Sequence, residues 1–154
     1  MTLDPRNAIV ALFTNGIIAG TTEFGNKYVL VQLREDNMNA TINTAATDQV
    51  GVILLEQIPR TTVTTISIGG KTVCDLVTIV ANLWVVRREG MMNPDVFIKA
   101  ILDAFENAII DNHTDIDADT RVIQIDGIMT IPSESPELMR RAIMLSAWGY
   151  KVRP

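Results

Sequence analysis

The chain has 154 residues, with 13 basic and 18 acidic side chains, a formal net charge of −5 and 47% apolar residues. That length suits a single domain, residues 1–154, able to bury about 68–70% of its unfolded surface with no disulfide or metal staple. The acidic balance argues against DNA or RNA as the main partner, because such binding rests on neutralising phosphates with Lys and Arg.

No apolar run approaches the ~20 residues that span a bilayer, and the start of the chain has no cleavable signal layout. The expectation is a soluble protein made in the cytoplasm, with no membrane partner. Cys74 is the sole cysteine, which excludes an intramolecular disulfide and a Cys-rich zinc site. The apolar content is rich in Ile and Val, which suits a large sheet better than a helical bundle.

Asp4-Pro5 opens a helix. Asp is a good N-cap, and Pro is tolerated at the first helical position because its missing N–H would be unpaired there. Ile9, Leu12 and Phe13 form an apolar stripe, and Gly16 can end the helix. Residues 27–34 read as a strand, with Val29, Val31 and Leu33 on one face and Tyr28, Leu30 and Gln32 on the other. Residues 35–49 are rich in Asn, Ala and Thr and read as a long loop, either a contact arm or a plain connector. Residues 50–58 form a continuous apolar run closed by Pro59, a strand by composition, although a helical turn fits its periodicity too.

The most informative stretch is 61–88. Two β-branched runs flank Gly69-Gly70, and both glycines can adopt the positive φ of a two-residue hairpin turn. The second run is about 13 to 18 residues long, against a usual strand of about 5 or 6, so it must cross a large sheet or project beyond it. In that run Thr78, Val80, Asn82, Trp84 and Val86 share a mixed face. Val77, Ile79, Ala81, Leu83 and Val85 share a wholly apolar one, which predicts a helix packed against it.

Asn93-Pro94 starts a second helix, with Asp95 in its first turn, where the helix dipole favours negative charge. Phe97, Ile101, Ala104, Phe105, Ala108 and Ile109 recur at helical spacing; Lys99, Asp103, Glu106 and Asn107 take the wet face. An acidic stretch follows. Residues 121–125 then read as a strand that continues through Met129 and Ile131, and residues 139–152 as a last strand pairing with it. The fold class is therefore α+β: a mixed, mainly antiparallel sheet with a long β-hairpin, flanked by an N-terminal helix and one central amphipathic helix.

Catalytic signatures are lacking in the sequence. His113, the only histidine, lies in a polar loop, and no Gly-x-Ser-x-Gly elbow accompanies it. Gly69-Gly70 lacks the downstream Lys-Ser/Thr of a phosphate-cradling loop. Asp115, Asp117 and Asp119 resemble the start of a calcium loop, but Thr120 stands where the sharp turn needs glycine, and position twelve is Asp126 rather than Glu. The plainer reading is an acidic turn whose carboxylates cap backbone amides. Trp148 and Tyr150, near Arg140, Arg141, Lys151 and Arg153, suit a protein interface, where Trp, Tyr and Arg are enriched, or an ordinary half-buried strand. No enzyme activity, cofactor or metal is expected.

The element order, the long hairpin ending Leu-Trp-Val-Val-Arg-Arg, the Pro-capped helix, Arg-Val-Ile-Gln-Ile-Asp and the final Arg-Arg-Ala-Ile-Met-Leu-Ser-Ala-Trp-Gly-Tyr-Lys-Val are similar to the tail-terminator (tail-completion) proteins of long-tailed bacteriophages and related viruses. The likeness covers most of the chain in element order and length, without a diagnostic motif. It implies a virion protein of the tail or neck, a homo-oligomeric ring of six subunits that caps the tail tube. Its partners would be the tail-tube protein and the head–neck connector protein. Residues 35–49 and 61–88 would be assembly arms, with Trp84, Arg87, Arg88, Trp148, Tyr150, Gly69 and Gly70 as interface residues. Three alternatives stay open: another virion ring protein (a neck adaptor or tail-tube subunit), a small α/β enzyme with a site between subunits, and a calcium-steadied binding module.

Overall fold

The longest β-branched run of the chain becomes a fifteen-residue strand, and the other elements are arranged around it. The computed structural model describes residues 4–20, 27–33, 48–57, 72–86, 94–118, 120–132 and 138–152. In chain order these form helix α1 (Arg6–Ala11), a 3-10 turn (Thr14–Gly16), strands β1 (Ile17–Ala19), β2 (Tyr28–Leu33), β3 (Gln49–Gln57) and β4 (Thr72–Val86), helix α2 (Pro94–Asp111), and strands β5 (Val122–Ile131) and β6 (Leu138–Val152). The six strands make one sheet in the order β1-β2-β3-β4-β6-β5. Only β2 and β3 run parallel; every other neighbouring pair is antiparallel. The sheet is mixed and mainly antiparallel, with two helices, as the sequence predicts.

Three local expectations need correction. The N-cap of α1 is Pro5, not Asp4, and no side chain caps it. Asp4 instead grips Arg6: its Oδ1 accepts from the Arg6 backbone N–H at 3.3 Å and from Nε at 2.8 Å, and its Oδ2 accepts from Nη2 at 2.8 Å. Those bonds hold the Asp4 carboxyl below its ordinary pKa, against the opposing effect of partial burial. The helix stops at Ala11, and Gly16 closes the following 3-10 turn instead, with φ of 66° beside Asn15 at 56°. Strand β1, which follows directly, is unassigned in the sequence reading. It is three residues long and gains its place by pairing with β2, Ile17 opposite Leu30 and Ala19 opposite Tyr28.

The core lies between the sheet and α2. Phe97, Ile101, Phe105 and Ile109 are fully buried, as their spacing predicts, and so are Ile98 and Leu102, nearly so. Ala104 is exposed and Ala108 half-buried, so the buried stripe is shifted towards Ile98 and Leu102. The larger apolar side chains take the interior because each buries more area; full burial of such a residue is worth roughly 1.5–3 kcal/mol. Facing them are Val77, Ile79, Ala81, Leu83 and Val85 of β4 and Ile143, Leu145 and Ala147 of β6. Phe13 stacks on Phe105, centroids 5.7 Å apart and planes 10° from parallel, which ties the start of the chain to the long helix. Gly51 permits a close approach: a Cβ there would meet the Trp84 carbonyl oxygen at 2.4 Å and Val29 Cγ1 at 2.9 Å. No helix among the described residues is long and apolar enough to cross a membrane.

The first arm of the predicted hairpin, including Gly69 and Gly70, lies outside the described residues, as does most of the 35–49 loop. The second arm is β4, and its described partners are β3 and β6.

Candidate functional site

Strand β4 presents two faces. Its odd-numbered residues from Val77 to Val85 are buried under α2, and its even-numbered ones from Leu76 to Val86 are half-buried on the opposite face. Register extends that opposite face across the sheet. Val52, Trp84, Arg140 and Ile131 form one row; Leu54, Asn82, Ala142 and Met129 form the next. Val52, Leu54 and Ala142 are buried here, away from the main core.

Trp84 and Arg140 are direct neighbours across the β4–β6 ladder, and the guanidinium carbon stands 3.7 Å from the indole centroid. Such a contact is worth about 0.5–2 kcal/mol, depending on desolvation. The Arg140 Nε is buried and has no hydrogen-bond partner among the described residues. Arg141 points to the other face, where its Nη2 lies 3.8 Å from the Asp95 carboxylate.

The sequence places Arg140 and Arg141 with Trp148; the structure divides them. Trp148 sits opposite Leu76 on β4 and Val122 on β5. It is eight residues along β6 from Arg140, roughly 27 Å at about 3.4 Å per residue. Trp84 and Trp148 share a face but occupy opposite ends of it. Tyr150 lies on β6 opposite Cys74. Arg87, Arg88, Gly69 and Gly70 are outside the described residues. The Trp84–Arg140 pairing was not visible in sequence, because it depends on the register of two strands separated by a helix and another strand.

The β4–β6 ladder is continuous over fifteen residue pairs, from Thr72 opposite Val152 to Val86 opposite Leu138. Its flanking strands are shorter. Among the described residues, pairing of β3 with β4 reaches Ile79, and pairing of β5 with β6 begins at Trp148. Residues 72–75 and 149–152 therefore continue as a two-stranded ribbon beyond the other described strands.

The acidic stretch behaves as a turn. Asp117 Oδ1 accepts the Thr120 backbone N–H at 2.6 Å, and Asp126, in the irregularity between Ile125 and Gly127, accepts from Gln124 Nε2 at 2.8 Å and from Ser146 Oγ. Asp119 lies outside the described residues. Among those described, no three His, Cys, Asp or Glu side chains gather as a metal site. His113 is exposed, with Nδ1 2.8 Å from the Ile110 carbonyl oxygen.

Among the described strands β5 lies at the edge of the sheet, and its Ile128 and Met129 are 40% and 55% exposed. Sequence reasoning assigned this strand but not its position at the edge. No protein-family model matches the chain, and comparison with curated proteins finds no match.

Proposed function

We propose that this protein is a structural subunit that works by contact, a ring-forming virion component resembling the tail terminators of long-tailed bacteriophages. The observation that carries this reading is the fifteen-residue β4–β6 ladder, which runs on past the other described strands. Ordering a long two-stranded ribbon costs conformational entropy, which contact with a neighbour would offset. The backbone edges of such a ribbon suit strand-to-strand contact with a neighbour. In a ring, one such contact is repeated head to tail by symmetry, so modest affinities accumulate.

On this reading Trp84 and Trp148 mark the two ends of the contact face, with Arg87, Arg88 and Tyr150 as further contact residues. The partners are further copies of the chain, the tail-tube protein and the head–neck connector protein. Native mass spectrometry across a concentration series, with and without purified tail tubes, tests it. A closed ring near six subunits, or capping of the tube ends seen by electron microscopy, is the expected result. Tubes that stay uncapped, together with no closed ring at any concentration, would reject the proposal.

A further inference from the structure

We infer that the β5 edge is a two-fold contact with a second copy of this chain, centred on Ile128 and formed by antiparallel strand addition. The inference is independent of the ring reading.

Edge strands normally carry features that block pairing, such as Lys, Pro, short length or a covering element. Among the described residues, only the first half of β5 is protected. There the His113 carbonyl accepts the Ile123 N–H at 2.9 Å, and the bulge at Asp126 interrupts the ladder. The second half reads Gly-Ile-Met-Thr-Ile, without charge, and Pro132 lies just past its end.

The direction of the free backbone groups follows from register. The Ile123 N–H points away from β6, and its partner there is Ala147. In an antiparallel ladder, every second pair repeats that orientation. Counting along β6 through Leu145 to Ile143 and Arg141, the β5 residues with outward groups beyond the bulge are Ile128 and Thr130. Among the described residues no other backbone group bonds to them on that side.

Side chains supply the complementarity. In a two-fold pairing centred on Ile128, that residue faces its own copy and exchanges two backbone hydrogen bonds with it. Gly127 of each chain then faces Met129 of the other. A Cβ at Gly127 would meet nothing within 4 Å, whereas Met129 is 55% exposed. Each flexible methionine thus gains an empty place over the glycine of the other copy, and the two placements are reciprocal, as two-fold symmetry requires. Asp126 falls opposite Thr130, so no like charges meet.

The test combines mass measurement with cross-linking. Sedimentation of the full chain from micromolar to millimolar concentration is expected to show a dimer contact. Ile128→Lys, which sets two ammonium groups opposite each other, is expected to weaken it roughly tenfold or more without altering the far-UV spectrum. In a Cys74→Ser background, an equal mixture of Gly127→Cys and Met129→Cys is expected to form disulfide-linked dimers on mild oxidation more efficiently than either variant alone. A wild-type protein that remains monomeric throughout would overturn the inference. So would an oligomer mass unchanged by Ile128→Lys, or cross-linking of the mixture no better than of its components. A closed ring that forms with no Ile128-dependent two-fold contact between its subunits or between rings would leave the ring proposal intact and remove this one.

Discussion

The two faces of β4 are drawn from the same short run of sequence but live in different surroundings. Val77, Ile79, Ala81, Leu83 and Val85 are at most 1% exposed, sealed by α2 and its neighbours. Leu76, Thr78, Val80, Asn82, Trp84 and Val86, one residue out of phase, are all half-buried. Because side chains alternate, a one-residue slip would exchange the two sets. The helix-side face therefore sets the register, and the opposite face is left to carry Asn82, Thr78 and the Trp84–Arg140 pair.

If that division is right, damage should be far greater on the helix side. Phe105→Asp places an unpaired carboxylate at a fully buried position stacked on Phe13, and it should abolish cooperative unfolding by circular dichroism. Phe105→Ala, which leaves a cavity, is expected to cost about 3–5 kcal/mol in denaturant titration. Gly51→Ala comes next. Its methyl group would run into backbone at Trp84, so β3 must move away, at a cost of about 1–3 kcal/mol.

The opposite face should answer more gently. A double-mutant cycle on Trp84→Ala and Arg140→Met is expected to give a coupling of about 0.5–2 kcal/mol, and Arg140→Met alone to cost less than Trp84→Ala. Removing Arg140 also removes a buried nitrogen that lacks an acceptor among the described residues, which offsets part of the lost contact. A coupling near zero would show that the stacking contributes nothing to stability.

Smallest of all is Asp4. Its folded pKa is lowered, chiefly by the side-chain hydrogen bonds from Arg6. The stabilisation is therefore fully present above the ordinary aspartate pKa and is lost as pH falls through the lowered folded value. With the Asp4 side chain 41% exposed, solvent screening keeps the effect below about 1 kcal/mol. Asp4→Asn should lower stability near neutral pH by less than about 1 kcal/mol, flatten the acid limb of the stability curve slightly, and leave stability below the lowered folded pKa almost unchanged.

How far the sequence could be read depended on the range of the interaction. The alternation in residues 76–86 and the 3.6-residue spacing in 97–109 are set by neighbours a few positions away, so both elements and both buried faces were legible. Even so, Ala104 was placed inside, where Ile98 and Leu102 fill the space. Periodicity identifies a stripe, but the packing partners decide its centre. Strand β1 was missed because three residues carry too little pattern, and it exists only through pairing with β2. Parallel neighbours cannot be joined by a tight turn, so the β2–β3 pairing gives the long stretch between them a topological reason that composition could not supply.

By itself, the sequence determined the class of the fold, the long central strand, the face of that strand that meets a helix, and the bounds of α2 and β6 to within a residue or two. Those features follow from local backbone preference and from the need to bury apolar side chains. Only the tertiary structure decided that Arg140 lies on Trp84 rather than near Trp148, that Arg141 turns towards Asp95, and that β5 is the last of the described strands, with Ile128 and Met129 exposed. Each of those outcomes depends on strand order and register between segments far apart in the chain, and no local pattern encodes which strand becomes whose neighbour.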